Sequence, residues 1–228
     1  MQTRAAVVML VLYSISAFAQ VDCVGEGRIE GRVVDSDRRP VADAEVTVLS
    51  EQCVVTGFNK PEAKSNTEGS FVLSHVPLGL NGVHAQKPES GYPDTTAAIY
   101  DDDSAPTPKV VIRSGEVVSG VIVKLGKKAG TVTGQIVDAD NSQPVVAARI
   151  RISKPDNDRI MMSMGPDLSG RFHLLLPPRP VTLTVKAAGY EPWQFTGPDQ
   201  VAPGVIQLKS EETTELTVRL QKSRQDPK

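Results

Sequence analysis

The chain has 228 residues, with 25 Lys+Arg against 27 Asp+Glu, a formal net charge of −2 and 39% hydrophobic residues. No basic cluster is available to track a phosphate backbone, so nucleic acid is excluded as a partner. Aromatics at 4% limit how many stacking platforms a binding face can carry, and 17 prolines with 18 glycines interrupt almost every stretch long enough for a helix.

The first twenty residues read MQTRAAVVMLVLYSISAFAQ. Arg4 and the amino terminus give a positive start, an apolar run follows from Ala5 to Ile15, and Ala17-Phe18-Ala19 is a small-x-small cleavage site. This predicts a secretory signal peptide over 1–19, cut between Ala19 and Gln20. The run is shorter than the roughly 18–20 residues that span a bilayer, so no stable membrane insertion is expected after cleavage. The expected location is secreted or periplasmic. The mature chain carries Cys23 and Cys53, a candidate disulfide in an oxidising compartment. Such a bridge closes a loop of about 31 residues, worth roughly 3–4 kcal/mol on the chain-entropy model. Asp22 sits where a lipoprotein anchor on Cys23 would need a small residue.

From there the sequence states one passage twice. GRVVDSDRRPVADAEVTVLS at 31–50 returns as GQIVDADNSQPVVAARIRIS at 134–153. Gly31, Val33, Asp35 and Pro40 correspond to Gly134, Ile136, Asp138 and Pro144, and Ala44, Val46 and Val48 to Ala148, Ile150 and Ile152. EGSFVL (68–73) pairs with SGRFHL (169–174), SGY (90–92) with AGY (188–190), and VIVKL (121–125) with LTVRL (216–220). A repeat of about a hundred residues is the size of a small domain. The pattern inside each copy is period two: Ile150 and Ile152 alternate with Arg149 and Arg151, Leu183 and Val185 with Thr182 and Thr184. Turn residues recur at Asp35–Pro40, Asn66–Gly69, Asp138–Pro144 and Pro177–Pro180. The expectation is an all-β chain of two tandem antiparallel β-sandwiches, about seven strands each, over 20–126 and 127–222 with a disordered tail at 223–228. Asp35 and Asp138 should cap turn amides, and Gly69 and Gly170 should supply a turn conformation that a Cβ resists. Phe71 and Phe172 should point inward, and the Tyr92 and Tyr190 hydroxyls should reach backbone partners.

These passages, with NTEGSF and SGY in one copy and DLSGRF and AGY in the other, resemble the carboxypeptidase regulatory-like domain. That family has a prealbumin- or transthyretin-like β-sandwich and is related to collagen-adhesin B-type repeats. The resemblance covers most of 27–125 and 130–221. It implies a non-catalytic module of exported and cell-surface bacterial proteins. The first copy departs from the pattern after Tyr92, where PDTTAAIYDDDSAPTPK makes a long acidic excursion, and the second carries MMSMGPDLSG at a turn region.

Catalytic patterns are missing. His75, His84 and His173 are the only histidines, and none stands in a His-Glu-x-x-His, a His-x-His or a zinc-spaced cysteine set. Intradiol dioxygenases need two Tyr and two His, and hydroxyisourate hydrolases end in Tyr-Arg-Gly-Ser; this chain ends LTVRLQKSRQDPK. No Gly-x-Ser-x-Gly elbow occurs. Asp35-Ser36-Asp37, Asp138–Asn141 and Asp101–Asp103 bring carboxylates together, but an EF-hand loop counted from Asp35 meets Pro40 and Val46 where Gly and Glu are required. No enzyme activity, cofactor or metal is expected. Tyr190, Trp193 and Phe195 form the one aromatic concentration, a candidate platform for a sugar ring or a protein anchor. Met161, Met162 and Met164 form a soft apolar run. The expected function is a non-catalytic exported module of the bacterial cell envelope presenting loops or an edge strand to an envelope or extracellular protein. A carbohydrate-binding module on Tyr190 and Trp193 is the alternative, and a small metal-dependent enzyme is disfavoured.

Overall fold

The computed structural model describes residues 25–53, 60–100 and 105–223. The expected signal peptide, its cleavage site, Cys23, Asp101–Asp103 and the tail beyond Ser223 lie outside the described residues. Within them the regular structure is β-strand with two 3-10 turns, Pro88–Ser90 and Ala98–Tyr100. No helix among the described residues is long and apolar enough to cross a membrane.

The N-terminal half runs β1 (Gly27–Val34), β2 (Glu45–Ser50), β3 (Glu62–Lys64), β4 (Ser70–Val76), β5 (Gly79–Gln86), β6 (Lys109–Ile112) and β7 (Val117–Lys124). One sheet has the order β4-β1-β7 and the other β3-β2-β5-β6. The C-terminal half runs β8 (Gly130–Asp138), β9 (Arg149–Lys154), β10 (Asn157–Met164), β11 (Arg171–Leu176), β12 (Pro180–Lys186), β13 (Trp193–Gln194), β14 (Gln200–Ala202), β15 (Val205–Gln207) and β16 (Thr213–Leu220). Its sheets are β11-β8-β16 and β10-β9-β12-β15-β14, with β13 paired to β12. Each half is a β-sandwich whose alternating apolar positions meet in its own core. Val46, Val48, Leu73 and Val83 are buried in the first; Ile150, Ile152, Leu183 and Val185 are buried in the second. Each such side chain contributes about 1.5–3 kcal/mol when taken out of water.

The expected purely antiparallel sheets are corrected at one place in each half. β1 pairs β7 in parallel, and β8 pairs β16 in parallel. Alternation of apolar residues encodes which face a side chain takes and is silent on strand direction. In each half the last strand crosses over from the larger sheet to the three-stranded one and runs beside the first strand in the same direction.

The shared letters have the same employment in both halves. A Cβ on Gly31 would lie 2.5 Å from the Phe71 ring and against the Val121 carbonyl; on Gly134 it would lie 2.7 Å from the Phe172 ring and against the Leu216 carbonyl. The phenylalanine of one strand thus packs across the glycine of its neighbour, a contact that only a missing side chain allows. Gly69 (φ 74°) and Gly170 (φ 75°) hold left-handed turns beneath Pro40 and Pro144. Those prolines make the isolated bridges Val34–Pro40 and Val137–Pro144. Asn66 and Asp167 cap the turns that precede β4 and β11, each accepting from two backbone amides at 2.8–3.0 Å.

Candidate functional site: the cleft between the sandwiches

The connection between β5 and β6 and its counterpart between β12 and β15 begin alike and end differently. Counting from the shared tyrosines, Thr95 corresponds to Trp193 and Ala97 to Phe195. In the C-terminal half the connection folds back on its own sandwich. Trp193 pairs with Val185, Gln194 with Thr184, and the Phe195 amide donates to the Leu183 carbonyl at 3.1 Å. Phe195 is only 1% exposed and meets Trp193 edge-on at 6.5 Å between ring centroids. It stoppers its own core.

In the N-terminal half the residue equivalent to Trp193, Thr95, touches its own sandwich: its carbonyl lies 3.1 Å from His84 Nδ1 and its hydroxyl donates to the Ala85 carbonyl at 3.4 Å. The connection then crosses to the neighbour. Ala97 and Tyr100 pack against the C-terminal core, and Ile99, 1% exposed, is part of it. The Tyr100 hydroxyl donates to the Leu175 carbonyl at 2.6 Å, and the Arg179 guanidinium donates to the Ile99 carbonyl. Burial, reinforced by the nearby Asp94 charge, pushes the Tyr100 phenol up to about 12, so it remains a donor at any physiological pH.

The linker between the sandwiches is tied down as well. The Ala129 amide donates to the Gly91 carbonyl at 2.8 Å, the Glu211 amide to the Ala129 carbonyl at 3.0 Å, and the Ser210 hydroxyl to the Lys128 carbonyl at 2.8 Å. Lys128 Nζ pairs with Glu211 at 2.5 Å, and that hydrogen bond raises the lysine above its ordinary value. Crossing segment and linker together join the two sandwiches at several independent points.

A cleft of about 530 Å³ lies between the N-terminal core and the crossing segment. Its floor includes Val83, Ala85, Val123 and Leu125, all members of that core. Tyr92 and Tyr100 stand in its walls. Lys109, Lys124, Lys127 and Arg179 also line it, and no Asp or Glu does among the described residues. Lys109 is paired with Glu51 at 2.7 Å, and Lys127 is exposed. Burial, then the Asp35 charge, raises the Tyr92 phenol above its usual value.

The residues singled out in the sequence fall elsewhere. Tyr190 and Trp193 are half-buried against the C-terminal core while Phe195 faces into it, so the three do not share one exposed platform. The Tyr190 hydroxyl reaches the Asp138 carboxylate and not the expected backbone partner. No hydrogen bond places the Tyr92 hydroxyl on a backbone group among the described contacts. His75 is exposed at φ 59°, where the β1–β4 register shifts; His84 lies on β5, and His173 is exposed on β11 of the other sandwich. The structure does not bring these histidines together. Asp35 Oδ1 accepts from the Asp37 and Arg39 amides at 2.8 and 2.9 Å, the turn-capping role expected. No group of three or more His, Cys, Asp or Glu able to hold a metal ion occurs among the described residues. Cys53 is a buried free thiol, and its expected partner Cys23 lies outside the described residues, so the bridge is not part of the described structure. Met162 receives the Tyr100 hydroxyl at 3.7 Å, and Met161 points outward from the edge strand β10.

Sequence reading missed the crossing segment and the cleft. The signal was present: Ala97-Ala98-Ile99-Tyr100 is an apolar tetrad inside a polar, acidic connection, and such a tetrad needs somewhere to be buried.

Comparison with curated protein sequences finds no match for the chain. Among solved structures it is similar to the Bacillus anthracis TIE protein, at 16% identity over 86% of this chain and 34% of that one, with a TM-score of 0.33. It is similar to a streptococcal ancillary pilin at 15% identity over 87% and 63% (TM-score 0.33), and to the shaft pilin SpaA of Lactobacillus rhamnosus GG at 12% over 88% and 99% (TM-score 0.32). The chain therefore spans about a third of the first of these and under two thirds of the second. Residues 131–221, nearly the whole C-terminal sandwich, match the Carboxypeptidase regulatory-like domain family.

Proposed function

We propose that the chain is a non-catalytic exported module of the bacterial cell envelope, built from two copies of one domain, that holds a protein partner on its loops or a sheet edge. The observation that carries this reading is the fate of the repeated residues. Glycine, aspartate, proline and phenylalanine serve turns and packing at equivalent places in both sandwiches, and the histidines stand apart on separate strands. The ties at the junction support a rigid spacer. For the edge, β7 offers a long outer strand with Val117 53% and Ile122 62% exposed, whereas the equivalent outward positions of β16 are Thr213, Glu215, Thr217 and Arg219. An exposed apolar edge is a template for an extended partner.

The test is photo-crosslinking in the producing cell, with a crosslinker replacing Ile122 on β7 and, for comparison, Leu168 in the turn before β11. The expected result is one dominant envelope protein captured from at least one of these positions. Absence of any captured protein from both, or turnover of a substrate by the purified chain, overturns the reading.

A further inference from the structure

We infer that Met162 is an oxidation site that switches the tie between the two sandwiches: an oxygen atom added to its sulfur loosens the segment that crosses from the N-terminal half into the C-terminal core. The inference goes beyond the proposed function and does not depend on which partner the module holds. Met161, Met162 and Met164 stand on β10, the outer strand of the larger C-terminal sheet. β10 pairs on one side only, with β9, where Met161 opposes Ser153 and Met162 opposes the buried Ile152. Neighbours on a strand take opposite faces. Met161 is accordingly 45% exposed, whereas Met162 is half-buried against the C-terminal core, as are Ala97 and Tyr100 of the crossing segment. The turn Ala98–Tyr100 lies against β10.

The contact that makes Met162 different is with Tyr100. Its hydroxyl has one proton and two acceptors, the Leu175 carbonyl at 2.6 Å and the Met162 sulfur at 3.7 Å. The phenol stays protonated, because burial pushes it up to about 12. A thioether is a weak acceptor, so the carbonyl holds the proton and the sulfur serves as an apolar neighbour. Oxidation changes that balance. The sulfur lone pair attacks one oxygen of hydrogen peroxide, the O–O bond breaks, and the remaining hydroxyl leaves as water with the proton of the transferred oxygen. Sulfur loses two electrons and the peroxide gains them. The product is a polar sulfoxide where an apolar side chain was packed. Taking the Tyr100 proton would strip the Leu175 carbonyl of its partner, and leaving the proton in place would hold an unpaired S–O dipole against the core. Both outcomes weaken the docking of Tyr100. The edge position of β10 gives the oxidant its approach, and partial burial makes Met162 slower than Met161.

The test treats the full mature chain with hydrogen peroxide, locates sulfoxides by tandem mass spectrometry and follows amide hydrogen exchange. Met161 should be oxidised first, without effect on the crossing. Once Met162 carries oxygen, protection of the Tyr100 amide, which donates to the Ala97 carbonyl at 2.9 Å, should fall roughly tenfold or more while β2 and β5 keep theirs. Met162→Leu, a swap that conserves volume, should keep its protection under the same treatment, and Met161→Leu should lose it as the wild type does. A Met162 that stays unoxidised in the folded chain overturns the inference. So does Met162 sulfoxide with Tyr100 protection unchanged, or an equal loss in Met162→Leu, which would place the damage at Met161 or Met164. None of these results touches the module reading, which the crosslinks test.

Discussion

The Tyr190 hydroxyl donates to Asp138 Oδ2 at 2.9 Å, so the tyrosine of the AGY motif is bonded to the aspartate that closes the first strand of the same sandwich, 52 residues earlier. Oδ1 of the same carboxylate accepts from the Asp140 and Asn141 amides at 2.8 and 3.2 Å, and Lys222 Nζ lies 3.3 Å from Oδ2. Two of the repeated motifs are thus one structural unit.

That unit makes stability depend on pH in a definite direction. Burial alone would raise the Asp138 carboxyl; the Asp140 amide, the Tyr190 hydroxyl, the Asn141 amide and Lys222 outweigh it and hold the group below its ordinary 3.8. A carboxyl with a lowered folded pKa binds more protons when unfolded, so its stabilisation is full above the ordinary value and is lost as pH falls through the folded one. Asp167, held down first by the Ser169 hydroxyl, acts in the same sense. Melting temperature should fall as pH is lowered below about 4. Asp138→Asn should flatten part of that fall and Tyr190→Phe should lower the melting temperature at neutral pH. A Tyr190→Phe chain that melts with the wild type would show the pair to be idle.

The glycines under the phenylalanines yield a second expectation. Gly31→Ala and Gly134→Ala put a methyl into an aromatic ring and a neighbouring carbonyl, and each should cost about 1–3 kcal/mol, the usual range for overpacking, or more if the ring cannot move. Gly115→Ala adds a Cβ with nothing within 4 Å, so it should cost only the left-handed backbone strain, about 1 kcal/mol. Urea denaturation distinguishes the two. Equal losses at all three positions would remove the packing explanation.

Much of this was legible in the letters. The alternation at Ile150/Ile152 and Leu183/Val185 shows which residues go inside because face is the one thing a period of two encodes. Asp35, Gly69 and Gly170 were legible because turn geometry is local chemistry. Strand direction was not, since β1 would alternate identically beside a parallel or an antiparallel β7. The crossing was illegible for a related reason: Ile99 announces that it must be buried, and nothing local says in which of two similar cores. Nor was the partner of the Tyr190 hydroxyl, which depends on a fold-wide juxtaposition with Asp138.

Cys53 bears on how that part of the chain is handled chemically. At 6% exposure its thiol should resist alkylation in the native protein and react on unfolding, a behaviour read directly by mass spectrometry of iodoacetamide-treated samples. Rapid native modification would contradict the burial.

Export is checked by the amino terminus of the protein recovered outside the cytoplasm. Sequencing should begin at Gln20, the residue after the small-x-small site. Recovery of the chain with Met1 intact from the cytoplasm would contradict an exported module.

Amide hydrogen exchange of Ile99→Asp puts the central relationship to the most direct test. The replaced side chain lies in the N-terminal sandwich's connection, yet a charge buried there should unfavourably load the other core, with a loss of several kcal/mol. The account predicts that protection falls in β9, β10 and β12 while β2 and β5 keep theirs. Loss of protection in β2 and β5 with β9, β10 and β12 unchanged would mean that Ile99 stoppers its own sandwich, and the crossing would not exist.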